Sequence, residues 1–553
     1  MASDTFNSLK TFADVCERVK GRTSKNLKVE ILSEYLKKLD DTSLKIACGL
    51  LSGEIFPPRQ NVVLQVGYST LAEIITELSG KDRRMLEKVF LRYGDLGETA
   101  EEILAKKSIA PLFSEEYTLI TFHDKLAKVA EITGKGSYSE KRKTLTGLFL
   151  NMSPVEAKYF TKILTGEMRI GLVAGLVIEG ITAAFGQKFD EVNEAYLLTC
   201  DIGETAILAK YNNITDAKLE PLHQTNFMLA EAMQTPEEIE EYFGKPMICE
   251  YKLDGIRAQC HKKGDIVKIF TRKGNESGNS FPEIVEALGK ITHDYIIDGE
   301  IVAFDKGKIL PFSLLQHRLQ RKVITRKVID EVPLTIFVYD ILFLDGESVY
   351  KKTLIKRKEA LKKLQLSEKV KMLGYSFVSK KEEMEAKFNE SIERGYEGLM
   401  IKDPDSIYMV GKRGKNWVKL KKELDTLDVV VVASERGHGK RANVFSDCVF
   451  SVWDNGELKT IGKAYSGLTD KELSEMNEKL KEIMVKDEGW RIVVRPEIVI
   501  EVAFNGIQKS DRHESGYALR FPRIKRIRYD KSVEQVDTID KVRSIFERQL
   551  SKK

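Results

Sequence analysis

The sequence predicts a multidomain chain with an all-α N-terminal domain, an α+β middle domain and a C-terminal β-barrel. Three changes of pattern along its 553 residues predict this order. At about 150 residues per domain, such a length suits roughly three domains. Residues 1–215 are poor in proline and rich in helical periodicity. In 24–36, Leu27, Ile31, Leu32 and Leu36 recur as on one face of an amphipathic helix. Ser153 before Pro154 reads as a helix cap followed by a first-turn proline. A polar linker at 216–226 follows. From 227 to 425 the pattern turns to short β-branched and aromatic runs, such as 266–271 and 334–339, with helices expected at 356–364 and 381–393. This is α+β character with antiparallel sheets. Residues 426–531 open on Asp428-Val429-Val430-Val431-Val432 and hold strand-like runs with one helix at 470–485. A hundred residues of this kind suit a small barrel of OB type. A tail at 532–553 carries Ile539, Val542, Ile545, Phe546 and Leu550 at helical spacing.

Composition excludes several classes. Hydrophobic content of 42% and charge of 31% describe a globular chain rather than a disordered one. No apolar stretch approaches the roughly 20 residues that span a bilayer. The first residues lack a secretory pattern. The six cysteines, Cys16, Cys48, Cys200, Cys249, Cys260 and Cys448, form no C-x-x-C pair, which argues against a zinc site or a disulfide framework. The expected location is therefore intracellular and cytoplasmic. A net charge of +5 permits nucleic-acid binding without requiring it.

The most informative run is Glu250-Tyr251-Lys252-Leu253-Asp254-Gly255-Ile256-Arg257. On a strand, Glu250 and Lys252 face the same side. Asp254-Gly255 suits a tight reversal. A lysine so held can serve as a covalent nucleophile. Further elements follow in order. Arg272 lies in Thr271-Arg272-Lys273-Gly274. Asp298 and Glu300 share a face of an apolar strand, where acidic groups are costly unless paired or metal-bound. Tyr339, in Phe337-Val338-Tyr339-Asp340, offers a flat ring on which a base can stack. Glu397-Gly398-Leu399-Met400-Ile401-Lys402 precedes Arg413, and Trp417, Lys419 and Lys421 alternate on one strand face. Two lysines and an arginine aimed one way suit a triphosphate.

Each element alone is weak, but the ordered set K-x-D-G, R-x-G, D-G-E, aromatic-D, E-G-x-x-x-K and W-x-K-x-K resembles the covalent nucleotidyltransferases. A seventh element, Leu519-Arg520-Phe521-Pro522-Arg523 through Asp530-Lys531, is similar to the closing motif of ATP-dependent DNA ligases of the archaeal and eukaryotic replicative type. The resemblance covers essentially the whole chain. It implies a DNA-binding helical domain at 1–215, an adenylation (nucleotidyltransferase) domain at 227–425 and an OB-fold domain at 426–531. It implies an enzyme that seals 5′-phosphate/3′-hydroxyl nicks through lysine–AMP and DNA–adenylate intermediates, in replication, repair and recombination.

By matching positions, the resemblance makes Lys252 the adenylylated nucleophile and Glu250 the adenine contact. Arg257 and Arg272 would hold ribose and phosphate, and Tyr339 would stack on the base where relatives often have phenylalanine. Glu300 and Glu397 would serve the sugar or a divalent metal, magnesium or manganese. Arg413, Lys419 and Lys421 would bind phosphates. Arg520, Arg526, Asp530 and Lys531 would orient the pyrophosphate. Gly166-Glu167-Met168-Arg169-Ile170-Gly171 resembles a DNA-contacting stretch, with Arg169 and Gly171 its expected contacts. The implied partners are ATP and nicked duplex DNA. A sliding clamp at Ser108-Ile109-Ala110-Pro111-Leu112-Phe113 is a further expectation, as is a monomeric state. The long helical region and Leu519–Arg523 disfavour an RNA ligase or a capping guanylyltransferase. The intact Lys252, Glu300, Glu397, Lys419 and Lys421 disfavour a non-catalytic scaffold, and the missing four-cysteine motif disfavours an NAD-dependent ligase.

Overall fold

The structure, a computed structural model, describes residues 5–60, 62–107, 115–272, 274–319, 321, 323–421, 425–437 and 444–551. It separates into two compact units. One comprises Met1–Phe90 with Leu96–Lys421, the other Leu91–Asp95 with Lys422–Lys553.

The first unit begins with helices that share one apolar core running from Leu9 to Ile214. The helix Lys25–Leu36 starts at Ser24 as its periodicity predicts and buries Ile31, Leu32, Tyr35 and Leu36. Leu27, the first residue of the expected apolar stripe, is instead exposed. The helix Pro154–Thr165 is fixed by a capping box. Ser153 Oγ accepts from the Glu156 amide, and the Glu156 carboxylate accepts from the Ser153 amide at 2.8 Å. Gly166 closes that helix in the left-handed region.

Among the described residues, twelve strands follow in chain order. They are β1 (Leu229–Ala232), β2 (Met247–Lys252), β3 (Ile256–Lys263), β4 (Ile266–Thr271), β5 (Tyr295–Asp305), β6 (Lys308–Ile309), β7 (Leu334–Leu344), β8 (Glu347–Ser348), β9 (Val370–Met372), β10 (Tyr375–Val378), β11 (Gly398–Lys402) and β12 (Arg413–Lys421). One sheet has the order β1-β12-β11-β2-β10. A second has the order β4-β3-β5-β7-β8, with β6 on β5 and β9 on β7. Pairing is antiparallel except for β1–β12 and β7–β9. Side chains of both sheets, Trp417 and Tyr339 among them, meet in one buried cluster that Leu198 and Leu219 of the preceding region join.

Asp254-Gly255 does not close a hairpin. The chain leaves the first sheet at Lys252 and enters the second at Ile256, so this dipeptide is the crossing between sheets. Only glycine fits there, because a Cβ on Gly255 would lie 2.4 Å from the Ile301 carbonyl oxygen. The run 250–257 thus spans both walls of the space between the sheets.

The second unit is a strand-rich half-barrel. Its strands are β13 (Asp425–Arg436), β14 (Phe445–Asp454), β15 (Glu457–Ala464), β16 (Met484–Asp487), β17 (Arg491–Val494), β18 (Val499–Phe504), β19 (Gly506–Lys509), β20 (Tyr517–Arg520) and β21 (Arg523–Ile527). β18 joins β13 to β21. The helix Asp470–Glu482 covers one side, and the final helix Ile539–Ser551 buries Ile539, Val542 and Ile545 in the same core. All six cysteines are buried and free. Among the described residues, no helix is long and apolar enough to cross a membrane.

Candidate active site

Strand register builds the site. β11 lies between β2 and β12, and Gly398 stands opposite both Lys252 and Lys421. One step along, Met400 stands opposite Glu250 and Lys419. The period of two therefore stacks two rows on one face of the sheet. Gly398 has φ +139°, and a Cβ on it would lie 2.2 Å from the Leu420 carbonyl oxygen. Having no side chain, it leaves room for the two flanking lysines to converge on Glu397. Lys252 Nζ lies 2.5 Å and Lys421 Nζ 2.8 Å from Glu397 Oε2.

These side chains line a cleft of about 600 Å³. Every site residue expected between 250 and 421 lies on its wall: Glu250, Lys252, Arg257, Arg272, Glu300, Tyr339, Glu397, Arg413, Lys419 and Lys421. At one end, burial and then the charges of Arg413, Lys421, Lys252 and Arg272 push the Lys419 ammonium below its usual pKa. Lys419, Arg413, Lys421, Lys252 and Arg272 all line this one cleft, and such a cluster suits a polyphosphate.

The other end is held by buried ion pairs. Glu250 is 2% exposed. Its Oε2 takes Lys402 Nζ at 2.6 Å, and its Oε1 takes Lys358 Nζ. The Lys402 ammonium also sits 4.0 Å from the ring centroid of Trp417 and 4.3 Å from that of Tyr339. Arg257 is largely committed to the protein. It makes a two-pronged bond to Asp298, at 3.1 and 2.6 Å, and donates to the Met228 carbonyl at 2.7 Å. Asp298 accepts further bonds from the Tyr339 and Tyr408 hydroxyls, at 3.0 and 2.8 Å. The sequence offered Asp298 either a salt bridge or a site role, and in the structure it is the fully buried hub that fixes Arg257 and Tyr339.

The two acidic residues expected at a metal differ in state. Burial pushes the Glu300 carboxyl up to about 8, against the pull of Lys252 and Arg257. Burial also raises Glu397, but the charge and hydrogen bond of Lys252 and those of Lys421 more than offset it and hold Glu397 below the usual carboxylate range. Among the described residues no three His, Cys, Asp or Glu side chains gather as a metal cage. Glu397, ionised, and Glu300, which a nearby cation would help to ionise, line the cleft with the cationic cluster, and magnesium needs few protein ligands of this kind.

Arg520, Arg526, Asp530 and Lys531 belong to the half-barrel. Arg526 Nε bonds Glu501 Oε2 at 2.6 Å and Lys531 Nζ bonds Asp428 Oδ2 at 2.6 Å. Asp530 accepts from Arg528, and Arg520 lies over the exposed Phe521 ring. In the helical region, Arg169 has φ +47° and pairs with Glu167, while Gly171 has φ +68°. Lys28, which no local pattern marked, donates to the carbonyls of Ile170 and Gly171 and fastens this loop. Residues 108–113 lie outside the described residues. Sequence reasoning also missed Lys358, Tyr408 and Asp428. Their partners are 100 residues or more away in the chain, so no local spacing betrays them.

Comparison with known proteins agrees with this geometry. Three family models match: "DNA ligase N terminus" over residues 8–182, "ATP dependent DNA ligase domain" over 227–421, and "ATP dependent DNA ligase C terminal region" over 441–531. A probable DNA ligase of Koribacter versatilis is 39% identical, with 98% of this chain and 97% of that protein covered. A DNA ligase of Archaeoglobus fulgidus is 35% identical, with 98% and 99% covered. The solved structure titled "Pmar-Lig_PreS3" shares the fold with a TM-score of 0.59, at 17% identity, over 94% of this chain and 99% of its own. Matches of this length and order, on a chain whose ordered motifs line one cleft, make it a member of the ATP-dependent DNA ligase family, enzymes that seal nicks through an adenylate intermediate.

Proposed function

We propose that Lys252 is the nucleophile of this ligase and that the cleft between the two sheets is its ATP site. The convergence of Lys252, Glu397, Lys421, Lys419, Arg413 and Arg272 on one cleft wall carries this reading.

The neutral Lys252 amine attacks the α-phosphorus of ATP. A nitrogen–phosphorus bond forms, the bond to the bridging oxygen breaks, pyrophosphate leaves and the amine loses a proton. Arg272, Arg413, Lys419 and Lys421 neutralise the charge that develops on the phosphoryl oxygens. Tyr339 and Glu250 hold the adenine, and Arg257, fixed by Asp298, closes the ribose end. Glu300 and Glu397 would hold magnesium or manganese, which when bound supplies further neutralisation of phosphate charge. In the second step an oxygen of the DNA 5′-phosphate attacks the same phosphorus and frees the lysine. In the third the 3′-hydroxyl attacks the activated 5′-phosphate, the backbone is joined and AMP leaves.

The half-barrel motif at Arg520, Arg526, Asp530 and Lys531 orients the pyrophosphate and serves the first step alone. The helical region 1–215, with Arg169 and Gly171, grips the duplex as the DNA-binding domain. Residues 227–425 then form the adenylation domain, 426–531 the OB-fold domain and 532–553 a helical tail. The enzyme acts as a cytoplasmic monomer in replication, repair and recombination. A sliding clamp docks at residues 108–113, and unchanged binding of a cognate clamp by a Leu112→Ala, Phe113→Ala variant would remove that partner.

The test is incubation with α-labelled ATP and magnesium, then denaturing electrophoresis. An acid-labile label on the parent, absent from Lys252→Ala and chased by nicked duplex DNA, is the expected result. Equal labelling of Lys252→Ala would assign the nucleophile elsewhere.

A further inference from the structure

The half-barrel contains an arrangement that the closing motif does not explain by itself. Asp428 on β13 and Glu501 on β18 stand directly opposite one another. Residues so paired point to the same face, and two like charges there repel. Both carboxylates are nearly buried, with side-chain exposures of 11% and 8%. Such a pair persists only if cations neutralise it.

Four cations do so, all from residues 525–531. Asp428 takes Arg528 Nη1 at 2.7 Å and Lys531 Nζ at 2.6 Å. Glu501 takes Lys525 Nζ at 3.2 Å and Arg526 Nε at 2.6 Å. Asp428 is itself anchored at the backbone. Its amide donates to Asp537 Oδ2 at 2.8 Å, and its carbonyl accepts from the Asp537 amide at 2.9 Å.

The four cations are not equivalent. Arg528 is committed, since Nη1 is on Asp428 and both Nε and Nη2 are on Asp530. Its side chain is 11% exposed. Arg526 is 61% exposed and Lys531 29%. One cation therefore bolts the segment down, while Arg526 and Lys531, with one hydrogen bond each, keep further donor groups and are more exposed than Arg528. A polyanion needs fixed donors that retain free N–H groups, and single-point tethering supplies both.

We propose that Asp428 and Glu501 are positioning residues for lysine adenylylation: this paired acidic cradle sets where Lys531 and Arg526 present themselves to the departing pyrophosphate, and it has no part in the two DNA steps. The proposal rests on the reading that the 520–531 motif serves the first step alone.

The experiment compares Asp428→Asn and Glu501→Gln with the parent and with Lys531→Ala. Two rates are measured for each full-length variant: formation of the enzyme–AMP adduct at saturating ATP, and sealing of a nicked duplex already carrying the 5′-adenylate. Lys531→Ala should lose adenylylation and keep sealing, which checks the underlying reading. Both cradle variants should then adenylylate at least tenfold more slowly, seal the pre-adenylylated nick within twofold of the parent, and melt within a few degrees of it. Parental adenylylation in the cradle variants, beside a collapsed Lys531→Ala, would overturn the proposal and leave the reading intact. Parallel loss of both rates would make the carboxylates structural only, which also overturns it. Parental adenylylation in Lys531→Ala would remove the reading and the proposal together. Should one cradle variant fail to fold, the other carries the test, because each carboxylate holds a different outward-facing cation.

Discussion

Glu397 is tied to Lys252 twice. Its amide donates to the Lys252 carbonyl at 2.9 Å, and its Oε2 stands 2.5 Å from Lys252 Nζ. The backbone bond sets the main-chain spacing of the two residues, and the ion pair joins their side chains across it. Glu397→Gln keeps the shape and removes the charge. Formation of the enzyme–AMP adduct should slow by about tenfold or more, equivalent to ~1.4 kcal/mol of barrier. Single-turnover labelling with ATP measures this. A parental rate would mean that the carboxylate serves only to space the two lysines.

Lys358 touches Glu250 from the side away from its partner Lys402, and all three are essentially without solvent exposure. Removing it leaves a buried carboxylate oxygen without its donor, at a cost of about 1–3 kcal/mol. Lys358→Met should therefore raise KM for ATP while kcat for nick sealing holds. Lys358→Arg should recover much of the loss, because a guanidinium also donates to a carboxylate. Equal changes in KM for Met and Arg would show that volume, not charge, is what matters there.

Gly398 occupies a backbone conformation that residues with a side chain rarely adopt, opposite a carbonyl at contact distance. Gly398→Ala should push β11 from β12 and spoil the convergence on Glu397. The expected outcome is loss of adenylylation with a melting temperature lowered by several degrees, read by labelling and calorimetry. An unchanged adduct yield would show that the strand absorbs the methyl group.

His261 gives a pH dependence. Its Nε2 meets Gln259 Oε1 at 2.9 Å, and its Nδ1 has no partner among the described residues. Burial, and then the nearby charges of His223 and Lys268, depress its pKa to about 3. The unfolded chain takes up this proton below about 6.5, whereas the folded one refuses it until about 3. Stability from this group is therefore present above 6.5 and falls as pH drops, by up to about 1.4 kcal/mol per pH unit. Between pH 7 and 5, His261→Gln should lose less melting temperature than the parent. Parallel melting curves across that window would place the proton elsewhere.

The sequence made much of this visible because strands convert a spacing of two into a shared face. Glu250 with Lys252, and Lys419 with Lys421, are legible in that way, and the register of β11 then brings the two pairs together. Helix 381–393 and strand 266–271 match their expected bounds, since both are bounded by clear changes of period. Asp254-Gly255 misleads because the turn chemistry of Asp-Gly is the same whether the chain reverses within a sheet or crosses to another. The Asp298 hub, Lys358 and the Asp428–Glu501 pair stay hidden because each depends on partners from separate elements, and no periodicity encodes which distant helix or strand arrives beside a given carboxylate.

The floor of the cleft has a practical corollary. Of the three tryptophans, Trp453 and Trp490 belong to the half-barrel, and Trp417 alone belongs to the unit that holds the cleft. It is 1% exposed, its indole N–H lacks an acceptor among the described residues, and an ammonium group rests 4.0 Å from its ring centre. An indole with a point charge at that range has its emission tuned by whatever shifts or screens the charge. Nucleotide that enters the cleft should therefore change the Trp417 emission, and stopped-flow fluorescence of the parent against Trp417→Phe measures that change without a dye or a radiolabel.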